Sequence, residues 1–240
     1  MLPCEARKAL ARRLAVVCTE ADQETSRMFE TAELGHKIDR ERYESEEPKV
    51  REELLHAQYA LKDGAKFPVI ILVSGMDGAG KSETVNLLNA WMDPRLIETH
   101  AFGERNDEEA GRPRLYRYWK AMPPKGKIGI LFGGWYEDPF EERVAGAIKN
   151  NAFDNHLEEI VRLEKMLVSE GTLILKFWLH LSKESQKKRL RALEKDPKTR
   201  WRVTAADWKR AEQYDRRRLI AEQMLRQTSV AEAPWAVTAS

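Results

Sequence analysis

Between Val50 and Leu61 the apolar positions recur at a helical interval. Val50, Leu54, Ala57 and Leu61 set out one face of an amphipathic helix, which Asp63-Gly64 is expected to end. The period then changes. "FPVIILVSG" holds an unbroken β-branched and aliphatic run from Val69 to Val73, the mark of a strand buried on both faces. Further strands are expected in "IETHAF" at 97–102, "IGILF" at 128–132 and "TLILKFWLHL" at 172–181, with a weaker pattern in "PWAVT" at 234–238. Helical patterns separate most of these runs; Leu157, Ile160, Val161 and Val168, for example, share one face. Strands alternating with helices predict an α/β fold, a parallel sheet of about five strands with helices on both faces. Residues 5–47 are strongly charged and mostly helix-forming. The chain therefore divides into a helical N-terminal arm over 1–47 and a domain over 48–240.

A chain of 240 residues fits one large α/β domain, or one with arms, and buries a core without disulfide staples. A third of the residues are charged, but the formal net charge is only +2, so the total favours no polyanionic partner and the distribution matters more. Residues 183–218 hold fourteen Lys/Arg against six Asp/Glu, a local net of +8. The two cysteines, Cys4 and Cys18, match no metal spacing and fit a reduced compartment. No apolar run reaches the ~18 residues that span a membrane, and the N-terminus has no apolar signal core. The expectation is a soluble cytoplasmic protein with no membrane partner.

The candidate chemistry follows the first strand. In "GMDGAGKSE", Gly75, Gly80, Lys81 and Ser82 complete G-x-x-x-x-G-K-[ST]. Such a match arises by chance in about one chain of this length in a hundred, and the required strand before it and helix after it, from about Ser82 to Met92, are both expected. The backbone N–H groups of Gly78, Ala79 and Gly80 would turn inward around phosphate oxygens, with glycine permitting the turn and the close approach. Lys81 adds a point charge, and the helix aims its positive end at the anion. Ser82 is placed to ligate magnesium. Asp77 inside the loop would repel a polyphosphate unless a cation intervenes, which points to a metal or general-base role. A three-layer P-loop kinase-like fold is the resulting expectation.

The basic segment "SQKKRLRALEKDPKTRWRVTAADWKR" follows the fourth strand, where small phosphate-transferring kinases carry a mobile helical lid. A lid rich in Arg would screen transferring phosphates and exclude water; a solvated helix face is the plain alternative. Nucleic-acid binding is not expected: Trp201 and Trp208 could stack on bases, but no recognised module surrounds them.

From about residue 45 to 240 the sequence resembles the family-2 polyphosphate kinases, P-loop enzymes that move phosphate between inorganic polyphosphate and nucleotides. The resemblance rests on "GMDGAGKSETV", on "DPRLIETHAFGERNDEEAGRPRLYRYWKAMPPKGKIGILFGGWYED" and on "LKFWLHLSKESQKKRL…EKDPKTRWRVTAADW". It implies catalytic roles for Asp77 and Lys81, and matches Arg117 of "LYRYW" to an arginine that would join Gly75, Gly78, Ala79, Gly80, Lys81 and Ser82 in binding phosphate. It implies that Lys187, Lys188, Arg189, Arg200 and Arg202 belong to a lid closing over the phosphate chain. It implies Mg2+, held at Asp77 and Ser82, with inorganic polyphosphate and an AMP- or ADP-type nucleotide as partners. An oligomer or a fused partner domain is also implied, with 5–47 either such a contact or a solvated arm.

One departure stands out. The family usually has Asp-Arg-Ser or Asn-Arg-Ser before its Trp-Tyr, and here Phe132, Gly133 and Gly134 precede Trp135-Tyr136. A strand-end carboxylate and its arginine are missing, and Glu137 and Asp138 arrive late. Asp138 lies beyond the strand end, which argues against its reaching back as a substitute. Losing a carboxylate and a cation from a site that works by charge stabilisation costs several kcal/mol of barrier. The chain also stops after "PWAVTAS", where the family continues into a helix. It is similar to the first copy of a two-copy member with a degenerate site, or to a fragment or variant of one. Three functions stay open: polyphosphate-dependent nucleotide phosphotransfer, a degenerate polyphosphate- or nucleotide-binding domain supporting an active partner, and a P-loop kinase for another small acceptor.

Overall fold

The computed structural model describes residues 28–33 and 38–239. Strands β1 (Val69–Gly75), β2 (Ile97–Ala101), β3 (Ile128–Phe132), β4 (Leu173–His180) and β5 (Trp235–Ala239) form one sheet in the order β2-β3-β1-β4-β5. Every neighbouring pair is parallel. All five expected strands are present, and β1, the most continuous apolar run, takes the centre. Its residues Val69 to Val73 are fully buried, as a strand covered on both faces requires. The register sets Val73 beside Phe132 of β3 and Gly75 beside Leu179 of β4. The carboxyl ends of these three strands therefore open on one crevice, where the chain's crossovers leave β1 to either side.

Helix α1 (Arg40–Gly64) starts at Asp39, whose side chain accepts from the backbone N–H of Arg42, and ends at Ala65 in the left-handed region. It runs through position 48, with Pro48 in its interior. Most of the expected arm lies outside the described residues, as do Cys4 and Cys18. The apolar stripe is real: Leu54 and Leu61 are buried and Val50 packs on the core. Gln58 shares that face, and its amide closes two bonds with the Asp93 backbone, at 2.9 and 2.8 Å.

Six further helices of eight or more residues follow: α2 (Lys81–Trp91), α3 (Gly134–Ala145), α4 (Asn150–Ser169), α5 (Lys183–Lys195), α6 (Ala205–Glu212) and α7 (Tyr214–Thr228), with two short helical turns, Asp107–Ala110 and Tyr116–Lys120, between β2 and β3. Helix α2 packs on β1 and β3 and supports α1, while α3, α4 and α7 pack on one another against β1 and β4. Before α1, Phe29 stacks on His180 at the end of β4, with ring centroids 4.2 Å apart, and Glu33 bonds the same imidazole at 2.7 Å.

A buried ionic cluster ties α3, α4, α7 and β4 together. Lys176 interrupts the apolar run of β4 and is fully buried. Its ammonium donates to Glu164 of α4 at 2.7 Å, to the Thr228 carbonyl at 2.8 Å and to the Tyr136 hydroxyl at 3.2 Å. Trp135 and Tyr136 donate to the other Glu164 oxygen, at 3.0 and 2.8 Å. Burial pushes the Glu164 carboxyl up and the Lys176 ammonium down from their ordinary values, and their mutual attraction opposes both shifts. Such a pair is costly to break from one side, because the remaining charge stays buried and uncompensated. Lys176→Met is expected to lower the unfolding free energy in urea titration by about 3–5 kcal/mol, and adding Glu164→Gln should recover part of it. A single-variant loss below ~1 kcal/mol would contradict the account.

Candidate active site

The loop after β1 is shaped by what cannot stand there. A Cβ on Gly75 would lie 2.2 Å from the carbonyl oxygen of Leu179, and the next residue, Met76, donates its N–H to that same oxygen at 2.9 Å. Gly78 and Gly80 hold φ near +78° and +79°, so the chain turns through left-handed backbone twice before α2 begins. The Lys81 ammonium crosses the loop and donates to the Gly75 carbonyl at 2.7 Å. The loop is therefore a closed turn with its amine at the mouth and the amino end of α2 behind it.

Asp77 is the point on which the other elements meet. Gln186 of α5, itself buried, donates to its backbone carbonyl at 2.8 Å. Arg210 of α6 and Arg217 of α7 bring guanidinium nitrogens to 3.5 and 3.7 Å from its Oδ2, which is buried and accepts no hydrogen bond. Arg210 is also paired with Asp207. Arg217 grips Glu141 of α3 through two bonds, at 2.6 and 2.7 Å. Burial alone would lower the pKa of Arg217, but Glu141, Asp77 and Glu137 outweigh it and raise it, so the guanidinium stays charged.

Glu137 lies in the first turn of α3 and lines the pocket with Ser74, Gly75, Asp77, Lys81 and Arg217. Burial raises its carboxyl above the ordinary value, with Lys81 opposing and Glu141 and Asp77 adding to the rise. Asp138 points elsewhere: Arg105 donates to it at 2.8 and 3.1 Å, beside a second pair between Arg114 and Glu142. Of the two late carboxylates, it is Glu137 that enters the pocket.

The basic segment is fastened to the loop's helix. Arg202 and Arg189 reach Glu83, in the first turn of α2, at 2.9 and 3.6 Å. Burial would raise the Glu83 carboxyl, but Arg202 and Arg189 outweigh it and hold it below the ordinary value. Lys187, Lys188 and Arg200 are exposed on the same segment, and Ser82 is exposed at the start of α2. Arg117 is not among the residues lining the pocket. It is buried, donates to the Gly103 carbonyl at 3.0 Å, lies 3.4 Å from Glu109 and covers the Phe102 ring.

Among the described residues no group of three or more His, Cys, Asp or Glu is placed to hold a metal ion. A divalent cation that draws on one or two carboxylates and completes its shell with phosphate oxygens and water still fits, because the Asp77 Oδ2 accepts no hydrogen bond and Glu137 stands in the same pocket.

The family model for polyphosphate kinase 2 matches residues 37–240. The chain belongs to the polyphosphate kinase 2 family. It is 52% identical over 210 residues to a polyphosphate:AMP phosphotransferase of Pseudomonas aeruginosa, covering 88% of this chain and 42% of the relative. It is 31% identical over 186 residues to an AMP/ADP-polyphosphate phosphotransferase of Meiothermus ruber, covering 78% of this chain and 67% of that one. Among solved structures, a putative polyphosphate kinase 2 from Pseudomonas aeruginosa PA01 superposes with a TM-score of 0.79 at 48% identity, over 88% of this chain and 43% of that one. The polyphosphate kinase 2 of Arthrobacter aurescens TC1 gives a TM-score of 0.84 at 25% identity, over 94% and 81%. The chain spans less than half the length of the Pseudomonas relative. The fold is that of polyphosphate kinase 2 structures, with the parallel sheet expected from the strand pattern.

Gly75, Asp77 and Lys81 thus meet in one pocket, while Arg189 and Arg202 are held beside it through Glu83. Exposed ion pairs contribute only ~0–1 kcal/mol each, so the Glu83 clamp should hold the basic segment without governing global stability. Arg189→Ala with Arg202→Ala is expected to speed hydrogen exchange across residues 183–204 while leaving the unfolding midpoint nearly unchanged. Unaltered exchange in that segment would show that Glu83 does not hold it.

Proposed function

We propose that this chain transfers phosphate between inorganic polyphosphate and an AMP- or ADP-type nucleotide. The observation that carries the reading is the convergence on Asp77: the phosphate loop, a buried glutamine of α5 and two arginines of α6 and α7 all meet there. The names of the relatives, among them polyphosphate:AMP phosphotransferase and AMP/ADP-polyphosphate phosphotransferase, support the same substrate class. The matched relative is much the longer protein, which supports a fused or partner domain acting beside this one.

In this reading the loop amides and Lys81 hold a phosphoryl group, and α2 adds its positive end. Phosphoryl transfer asks for little covalent help from the protein, so positioning and charge stabilisation carry the rate. Arg210 and Arg217 screen the phosphates as the lid closes, with Lys187, Lys188, Arg189, Arg200 and Arg202 lining its basic side. Asp77 either orients the cation or accepts the proton of the attacking group. Magnesium, when bound, supplies positive charge between the phosphate oxygens and the carboxylates, and Ser82 is the hydroxyl nearest the loop lysine in sequence. A nucleotide substrate supports a cytoplasmic location.

A second reading, a polyphosphate-binding domain without turnover of its own, is favoured by one feature: β3 ends at Phe132 and is followed by Gly133 and Gly134, with no carboxylate or arginine at the strand end. One experiment separates the two. The purified chain is incubated with AMP or ADP, polyphosphate and magnesium beside a Lys81→Ala control. Transfer is expected, with the control slower by about a hundredfold or more, the scale of losing one charge-stabilising donor. A wild-type rate equal to the control, with polyphosphate still bound, would reject catalysis by this chain alone and leave the binding reading.

A further inference from the structure

β3 ends without a carboxylate, and the next acids along the chain are Glu137 and Asp138. β3 ends at Phe132 and α3 begins at Gly134, so a single residue makes the turn. Gly133 and Gly134 hold φ of +83° and +48°, a left-handed pair that other residues adopt only under strain. A Cβ on Gly134 would stand 2.8 Å from the Leu72 side chain, so the amino end of α3 lies directly against β1. The first turn of α3 is thereby drawn over the end of the sheet. A Cβ on Gly133 would meet Cβ and Cγ of Glu137 at 3.6 Å, which is ordinary contact: the glutamate folds back over the turn, into the space above the strand end.

The neighbouring acids are committed to other partners. Asp138 is bonded to Arg105 and Glu141 to Arg217. Glu137 accepts no hydrogen bond among the described residues, though it shares its pocket with Gly75, Asp77 and Lys81. Asp77 presents an oxygen that is likewise without a hydrogen bond. Two carboxylates facing a phosphate loop repel the anion that the loop is built to hold; Lys81, Arg210 and Arg217 offset part of that charge, and a bound cation would offset the rest. Among the described residues there is no cage of three acids, so such a cation would be completed by the phosphates themselves.

We infer that Glu137, beside Asp77, supplies the cation-holding carboxylate that β3 lacks, and that it couples a divalent cation to phosphate bound in the loop. This rests on the phosphotransfer reading. It makes a prediction of opposite sign in two conditions. With the cation present, Glu137 attracts the complex; with the cation removed, Glu137 repels bare phosphate.

The test is calorimetric titration of the full chain with tripolyphosphate, once in saturating Mg2+ and once in EDTA. Wild type is expected to bind at least about tenfold more tightly with Mg2+, the scale of one good electrostatic contact. Glu137→Gln should bind more weakly than wild type with Mg2+ and more tightly than wild type in EDTA, while Asp138→Asn should track wild type in both. Damage to the fold would weaken both arms together, so the crossing identifies the charge. Glu137→Ala, titrated in the same way, should cross in the same direction and decides the matter if the glutamine variant does not fold. A Mg2+ enhancement equal in wild type and variants, or absent from wild type, overturns the inference while leaving the loop's phosphate site intact. Failure of wild type to bind tripolyphosphate in either condition overturns the phosphotransfer reading and the inference with it.

Discussion

At Gly75 a Cβ would stand 2.2 Å from the carbonyl oxygen of Leu179, so β1 turns into the loop at 75–82 only because that residue has no side chain. The approach is set by the parallel register of β1 and β4, which aligns the two residues. It lets Met76 bond across to β4, so that Asp77 follows over the central crevice and Lys81 reaches back to the Gly75 carbonyl. The elements that carry the cations leave from the same place, because β4 runs directly into α5. One close contact between two strands thus fixes both the turn after β1 and the root of the basic segment.

Charge compensation governs what surrounds that turn. Asp77, Glu137 and Glu141 face Lys81, Arg210 and Arg217 in and around one pocket. Arg217 is buried and held by two bonds to Glu141, so it acts as a fixed charge, whereas Arg189 and Arg202 hold Glu83 through more exposed contacts that phosphate can rival. Behind the pocket, the Lys176–Glu164 cluster anchors Trp135 and Tyr136, immediately before Glu137. The rigid core thereby sets where α3 begins, and the start of α3 sets which acid enters the site.

Local pattern made the sheet and the loop legible from sequence. An unbroken β-branched run followed by G-x-x-x-x-G-K-[ST] is information carried by neighbouring residues, and the strands lie where their apolar runs place them. What stayed hidden depends on packing over distance. Arg210 and Arg217 are two of fourteen cations between 183 and 218, and only the meeting of α6 and α7 with the loop singles them out. Gln186 looks like any polar residue on a charged helix until α5 is laid against Asp77. Lys176 looks like a break in an apolar strand until Glu164 arrives from α4. The choice between Glu137 and Asp138 turns on a one-residue turn at two positive-φ glycines. "FGG" announces the missing carboxylate, but which nearby acid enters the pocket is visible only once the direction of α3 is known.

The central claim is that the loop at 75–82 and the cationic segment after β4 form one anion site. Hydrogen exchange of the intact chain, followed by mass spectrometry with and without tripolyphosphate and Mg2+, tests it most directly. The account predicts slower exchange in peptides covering 76–84 and, in the same titration, in those covering 183–217. Protection of the basic segment with the loop amides unchanged would mean that the anion is held by surface charge alone, and would contradict it.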